Sequence, residues 1–205
     1  MMLTPQLVSE YDSNAPDETE TATFGLGCFW GPDAAAGAID GVVRTRVGYA
    51  GGTKPDPSYD VIGDHTEVVQ AAYDPDRISF RKLLEWAFSE QQPYRQPRKR
   101  QYHNIVFTET ADQHEQLQAF LDDSDFDRDR LETRFEELDE CYVAEDYHQK
   151  FQLRGKRWIT DVFDEANYDA EDVRESPAAA KLNAHAAGHE VDVPFLEQSY
   201  DRRSK

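Results

Sequence analysis

Apolar and polar residues alternate along this chain with two different periods. Alternation by two predicts strands over residues 42–50 and 67–73, because successive side chains of a strand point to opposite faces. Apolar residues at helical spacing after Ser79, a residue suited to cap a helix, predict a helix from residue 80 onward. The same patterns predict strands over 21–27, 103–108 and 135–143, and helices over 30–40, 111–122, 146–153 and 177–182.

The order of these elements indicates the fold class. Strands and helices are mixed without strict alternation, so we expect a single α/β or α+β domain with a central mixed sheet flanked by helices. We place this domain at residues 21–189. Residues 1–20 are polar and contain Pro5 and Pro16, which predicts a flexible tail, and residues 190–205 are predicted to form a second tail.

Composition limits the classes of function. With 205 residues, 39% of them hydrophobic, the chain can bury one substantial core. It shows no signal-peptide pattern and no apolar run of about 18 residues, so we expect a cytoplasmic protein that does not span a membrane.

The net charge further limits the possible functions of the protein. The net charge of −19 comes from 41 acidic and 22 basic residues and disfavours nucleic-acid binding, which requires a basic face. It favours a monomer and is typical of a protein soluble at high salt; an acidic enzyme of an ordinary cytoplasm is the alternative.

One of the two cysteines lies where a strand gives way to a helix. Cys28 stands between Gly27 and Gly31 and beside Phe29 and Trp30. A helix N-terminus lowers the pKa of a thiol, and the aromatic side chains could form an apolar pocket beside it. Asp33 is near enough in sequence to donate a proton. A buried core cysteine between core aromatics is the alternative that these residues leave open.

The segment around Cys28 resembles the signature of the peptide methionine sulfoxide reductase A family. The resemblance extends from about residue 22 to residue 188. It is carried by Gly27-Cys28-Phe29-Trp30-Gly31, Gly48-Tyr49-Ala50-Gly51-Gly52, Pro57-Ser58-Tyr59, His65-Thr66-Glu67-Val68-Val69, Tyr73-Asp74-Pro75, Gln101-Tyr102, Ala144-Glu145-Asp146-Tyr147-His148-Gln149 and Ala180-Lys181-Leu182-Asn183 with Gly188.

The resemblance implies a single α/β domain that reduces the S epimer of methionine sulfoxide, free or in peptides, to methionine. Cys28 would be the nucleophile and would become a sulfenic acid, with Phe29 and Trp30 holding the substrate's S-methyl group. Asp33 would be the acid, at the position of a glutamate in the family. Tyr59 and Tyr102 would donate hydrogen bonds to the sulfoxide oxygen; without the resemblance, both would be ordinary half-buried tyrosines.

The resemblance implies no bound metal or cofactor and an external, thioredoxin-like dithiol as reductant. Cys141 occupies a normally apolar strand position, so we expect a core residue; a resolving cysteine is the alternative. His65 and Glu67 are expected to orient strands and loops rather than substrate. Glu145, Tyr147 and His148 are expected to form a buried polar network.

The chain departs from the family pattern in three places. Asp33 is one methylene shorter than glutamate, the Tyr59–His65 spacing is short, and Pro97 replaces an aspartate. Beside Pro97 is a basic cluster, formed by Arg95, Arg98, Lys99 and Arg100, that could bind an anionic substrate or partner or pair with the acidic surface. These departures leave two alternatives: the same thiol chemistry on another sulfoxide or a peroxide, or a non-catalytic relative that binds methionine, its sulfoxide or a partner protein.

Overall fold

Helices pack against a six-stranded sheet in this fold, and a computed structural model describes residues 3–197 of the chain. The strands are β1 (Glu20–Leu26), β2 (Val42–Ala50), β3 (Thr66–Tyr73), β4 (Asn104–Thr108), β5 (Arg134–Glu137) and β6 (Cys141–Val143). The helices are α1 (Pro5–Ser13), α2 (Trp30–Ala38), α3 (Phe80–Glu90), α4 (Ala111–Asp123), α5 (Phe151–Arg154), α6 (Arg157–Glu165), α7 (Ala170–Glu175), α8 (Pro177–Ala186) and α9 (Pro194–Glu197). Short 3₁₀ turns lie at Arg100–Tyr102, Arg128–Arg130 and Asp146–His148.

The sheet is mixed, as the order of the elements predicts. Its strand order is β5-β4-β1-β3-β2-β6. The β4–β5 pair is parallel and the other pairs are antiparallel. The α+β class and the central mixed sheet are therefore confirmed.

The register assigns each strand residue to one of two sheet faces. Glu67, Tyr49 and Tyr142 lie opposite one another across β3, β2 and β6. Directly opposed residues of antiparallel strands share a face, so these three mark what we call the first face. Their chain neighbours Thr66, Ala50 and Cys141 are also in register and mark the second face.

The main core lies on the first face, under α3 and α4. Phe24 and Val69 belong to one buried cluster with Leu83 of α3 and Leu117 of α4. The predicted cap of α3 is present, because the Ser79 side chain accepts a hydrogen bond from the Lys82 amide. Within residues 3–197, none of the helices combines the length and apolar character needed to cross a bilayer.

Helices α2 and α8 pack unusually close together. A Cβ atom on Gly37 of α2 would lie 2.5 Å from the carbonyl oxygen of Ala180 on α8, so the approach requires glycine. This contact brings Asn183 of α8 within hydrogen-bonding distance of Asp33 on α2.

The segment predicted as a flexible tail, residues 1–20, instead contains helix α1, which is packed against the rest of the protein. Thr4 caps α1 and accepts a hydrogen bond from the Leu7 amide, and Val8 is fully buried. Asp12 accepts hydrogen bonds from the Ser176 hydroxyl and the Ala178 amide at the start of α8. The prediction failed because residues 1–20 are polar on average, although one face of α1 is apolar and packs against the C-terminal helices.

The second predicted tail is also partly packed. Val193, Phe195 and Leu196 are buried in the same cluster as Val8, because they cover the far side of α8. Residues 198–205 lie outside the described part of the chain.

Two predicted elements are each divided in the structure. The strand expected over 135–143 forms two strands, β5 and β6, at opposite edges of the sheet. The helix expected over 146–153 is a 3₁₀ turn followed by α5. It is interrupted at Lys150, whose φ of 52° is left-handed and breaks the helical path.

Candidate active site

Cys28 lies at a sharp bend between β1 and α2. Strand β1 ends at Leu26, and Gly27 reverses the chain direction with a φ of +82°, which favours glycine. Cys28 follows with an exposed side chain, and α2 begins at Trp30. The strand–helix junction predicted from the sequence is confirmed.

A buried carboxylate lies at the same helix end. Glu67 of β3 has no exposed surface; its Oε2 accepts a hydrogen bond from the Phe29 amide at 3.1 Å and its Oε1 one from Gln101 Nε2 at 2.6 Å. Burial raises the pKa of Glu67, although both hydrogen bonds work against this. A raised pKa increases the fraction of the carboxyl group that carries a proton near neutral pH.

The helix end does not produce the low thiol pKa that the sequence predicts. Burial raises the pKa of Cys28; a hydrogen bond from the Trp30 amide lowers it, and the charge of Glu67 raises it again. The net shift is upward because burial outweighs the hydrogen bond, and the nearby Glu67 charge adds a smaller increase. This direction is opposite to the one that a helix N-terminus alone predicts.

The two tyrosines predicted from the motifs meet at this thiol. Burial raises the pKa of Tyr102, and so do the charges of Glu67 and Cys28 and hydrogen bonding with the Tyr59 side chain. These influences place Tyr59, Tyr102, Glu67 and Cys28 within electrostatic reach of one another. The short Tyr59–His65 spacing does not remove Tyr59 from the site.

The loop that carries Tyr59 is fixed by a second carboxylate. Glu145 accepts hydrogen bonds from the Tyr59 amide at 2.9 Å and from the Tyr49 hydroxyl at 2.8 Å. At the other end of the loop, His65 accepts a hydrogen bond from the Gly52 amide. The role predicted for His65, orienting a loop, is confirmed.

Aromatic rings cluster at the start of α2, where Phe29 and Trp30 directly follow Cys28 in the chain. Phe29 is 1% exposed and its ring lies 5.1 Å from His148. Trp30 stacks on Phe151 at 3.8 Å, and its indole N–H donates to His148 Nδ1 at 3.2 Å. Burial lowers the pKa of His148 although the charge of Glu145 opposes this, so the ring stays neutral and able to accept that bond.

Asp33 does not lie where a proton donor must lie. Its carboxylate has no exposed surface and accepts hydrogen bonds from the Thr45 hydroxyl, the Lys150 amide and Asn183 Nδ2. The Lys150 ammonium lies 3.9 Å away. These partners engage the whole carboxylate, and Asp33 is not among the groups that act on Cys28, so the predicted acid role is wrong. Asp33 instead joins α2, β2 and α8.

The chain is similar to proteins of one known family. The family model described as peptide methionine sulfoxide reductase matches residues 20–176. A peptide methionine sulfoxide reductase A5 of Oryza sativa subsp. japonica is 39% identical over 183 residues, which cover 82% of this chain and 68% of that protein. A peptide methionine sulfoxide reductase of Drosophila melanogaster is 38% identical over 171 residues, with the same coverages. The chain belongs to the peptide methionine sulfoxide reductase family.

A solved structure supports the same conclusion for the fold of this reductase. Methionine sulfoxide reductase A of Corynebacterium diphtheriae superposes with a TM-score of 0.60 at 30% identity and covers 68% of this chain and 76% of its own. The resemblance seen in the motifs is therefore confirmed at the level of sequence and of structure.

The second cysteine of the reductase faces away from the first. Cys141 lies on the second face and packs against the cluster of Ala50, Val68, Ile105 and Phe107. Burial raises its pKa to about 11. Strand β6 lies three positions from β1 in the sheet, or about 14 Å at the usual spacing. These observations favour a core residue over a resolving cysteine.

For Glu67 the sequence predicted a role in orienting strands and loops, whereas the structure also places its carboxyl group beside the thiol of the reductase site. The sequence signal for a functional role is that the Glu67 carboxylate directly precedes the apolar residues Val68 and Val69 in a predicted strand. An unpaired charge is costly in a buried strand. The polar network predicted around His148 is only partly present. Glu145 and His148 take part in it, but Tyr147 is 56% exposed.

Proposed function

We propose that this reductase converts the S epimer of methionine sulfoxide, free or in proteins, to methionine, with Cys28 as nucleophile. The observation that supports this proposal is the exposed Cys28 thiol beside the buried Glu67 carboxyl and the hydroxyls of Tyr59 and Tyr102. We place the activity in the repair of oxidised proteins in the cytoplasm.

The proposed reaction requires only the substrate, the Cys28 thiol and the Glu67 carboxyl group. The Cys28 sulfur attacks the sulfoxide sulfur while the protonated Glu67 donates its proton to the sulfoxide oxygen. The attack forms an S–S bond, and the thiol proton passes to the Glu67 carboxylate. The hydroxyl group then moves from the substrate sulfur to the Cys28 sulfur as the S–S bond and the substrate's S–O bond break. The products are methionine and a Cys28 sulfenic acid: the substrate sulfur is reduced by two electrons and the Cys28 sulfur is oxidised by two.

The remaining residues would stabilise and orient the substrate. The Tyr59 and Tyr102 hydroxyls would donate hydrogen bonds to the oxygen as negative charge develops there, an effect typically equivalent to about 2.7–4 kcal/mol per donor. Phe29 and Trp30 would form the apolar surface for the S-methyl group. Asp33 acts only indirectly, by holding α2 in place.

An external dithiol of the thioredoxin type would return Cys28 to the thiol. Its first thiolate attacks the sulfenic sulfur and releases water, and its second thiol breaks the mixed disulfide. The position of Cys141 on the second face supports this route over an internal disulfide. We propose no bound cofactor or metal.

Turnover of the separate S and R epimers, free and within a peptide, tests the proposal, with dithiothreitol as reductant. We expect turnover of the S epimer by the wild type, none by Cys28→Ser, and normal turnover by Cys141→Ser. Folded wild-type protein that leaves the S epimer unchanged would contradict the proposal. Consumption of peroxide at a higher rate than sulfoxide would favour the alternative thiol chemistry.

A further inference from the structure

Three cations near the site have no partner in the described part of the chain. The side chains of Arg95, Arg98 and Lys99 are exposed and take part in none of the ion pairs or hydrogen bonds of residues 3–197. We call these three residues the cationic strip. In a chain of net charge −19, neutralisation by the protein's own acids is the expected arrangement. The structure shows no such pairing for the strip.

The fourth cation of the cluster has a different role. Arg100 Nε donates to the Asp64 carbonyl at 2.6 Å, and its Nη2 donates to the Gly51 carbonyl at 2.9 Å. It thereby fastens the basic loop to the loop that carries Tyr59. Arg100 is therefore structural, and it is not part of the cationic strip.

The loop that carries the strip is held in one conformation. Gln96 Nε2 donates to the carbonyls of Asn104 and Glu132, and its Oε1 accepts from the Asn104 amide. Asn104 Nδ2 donates in turn to the Arg95 carbonyl at 3.2 Å. A fixed loop presents its cations without a large ordering cost when a ligand binds.

One residue of the cationic strip, Arg95, lines a cavity that reaches the catalytic bend. Arg95 and Pro97 line one side of a cavity of about 330 Å³, and Leu26 and Gly27, the residues just before Cys28, line another. Glu90 is the carboxylate on its rim. Pro97 has no charge, whereas the family pattern has an aspartate at this position, so one negative charge is absent from the wall.

We propose that the cationic strip binds acidic side chains that neighbour the oxidised methionine in a polypeptide substrate. The proposal rests on the function proposed above, since it places the sulfoxide at Cys28. Arg95 and Gly27, the neighbour of Cys28, line the same cavity, and one residue of extended chain spans about 3.3–3.6 Å, so the acids in question are those within a few residues of the methionine. Guanidinium groups bind carboxylates with two parallel hydrogen bonds.

Peptide binding to Cys28→Ser tests the strip independently of turnover. Three labelled peptides would carry one methionine sulfoxide flanked by Glu, Gln or Lys, and fluorescence anisotropy at low salt would give each Kd. We expect the acidic peptide to bind about fivefold or more tightly than the neutral one, since each exposed pair contributes little. The Arg95→Gln/Arg98→Gln double variant should reduce this ratio to about one.

A matched double variant controls for overall charge. Arg77→Gln/Lys82→Gln removes two exposed cations near the opposite end of β3, whose ion pairs are with Asp40 and Glu85. It should retain the preference for the acidic peptide. Equal binding of the three peptides by the parent, or an equal loss of preference in both double variants, would overturn the proposal.

Turnover with two different reductants shows whether the cationic strip acts on the substrate or on the reductant. A defect of Arg95→Gln/Arg98→Gln that is seen with a protein reductant and not with dithiothreitol would assign the strip to the reductant and overturn the proposal. Selective binding of the acidic peptide without turnover by the wild type would support the strip and contradict only the proposed function.

Discussion

At the scale of single residues, a carboxyl group and a thiol share one helix end. Burial and, to a smaller extent, the charge of Glu67 raise the pKa of Cys28, so the sulfur is a poorer nucleophile in the free protein than its position before α2 suggests. The same carboxyl group, with its own raised pKa, is the group best placed to protonate an oxygen held beside the sulfur. Resting thiol reactivity and catalytic competence are thus expected to diverge.

Glu67→Gln separates these two properties. The amide removes a negative charge next to Cys28, so the pKa of the thiol falls and alkylation by iodoacetamide at a fixed pH below that pKa becomes faster. Sulfoxide turnover falls by about 100-fold or more, because the proton donor is lost. Alkylation rate against pH and steady-state turnover measure the two effects.

Glu109→Gln is the matched control for this substitution. Burial raises the pKa of Glu109 as it does that of Glu67, but the half-buried Glu109 carboxylate accepts a hydrogen bond from the Thr23 hydroxyl on the second face. The Glu109→Gln substitution should change neither the alkylation rate of Cys28 nor the turnover of the sulfoxide. A Glu67→Gln variant with unchanged turnover would eliminate Glu67 as the acid.

Asp33→Asn is expected to affect stability rather than chemistry. The substitution leaves the Lys150 ammonium buried without its carboxylate, which typically costs about 3–5 kcal/mol. Urea unfolding would measure the loss, and Asp33→Asn/Lys150→Met should recover part of it. Alkylation of Cys28 at native conditions should stay within a factor of about two of the wild-type rate. Full stability with lost turnover would instead restore Asp33 as a catalytic candidate.

At the scale of elements, the sequence predicts local structure well and the connections between elements poorly. Strands β1 to β4 and helices α2 to α4 follow from periodicity and capping residues. The division of residues 135–143 between the two sheet edges does not, because both halves have strand-like patterns and sheet order depends on long-range pairing. In the site, motifs identify Cys28, Tyr59 and Tyr102, but Glu67 emerges only when β1 and β3 are placed side by side.

Helix α1 provides a test at this scale. Val8→Ala removes two methyl groups from a fully buried position, so we expect a loss of about 1–3 kcal/mol in the free energy of unfolding. Gln6→Ala, on the exposed side of the same helix, should have little effect. Chemical denaturation compares the two variants. Equal stability of both would show that α1 does not dock and would reinstate the predicted tail.

At the scale of the whole molecule, the net charge of −19 opposes compaction. In 1 M KCl the Debye length falls to about 3 Å, so repulsion between exposed acids is screened. We expect the melting temperature to rise with salt; each 1 kcal/mol gained corresponds to about 2–4 °C for a chain of this size. Calorimetry at 0.05 and 1 M KCl measures the rise, and a melting temperature that falls with salt would argue against adaptation to high salt.

The placement of Cys141 on the second face of the sheet has a consequence for the lifetime of the protein. No thiol within the described residues shares the face of Cys28, so the sulfenic acid proposed for Cys28 would stay exposed to solvent until a partner molecule reduces it. During that interval a further equivalent of oxidant can convert it to sulfinic acid, which simple thiols do not reverse. The fraction of enzyme that stays active under oxidative stress would therefore depend on how quickly the reducing partner arrives. The average number of turnovers before a molecule is inactivated would rise with the concentration of reduced dithiol in the cell.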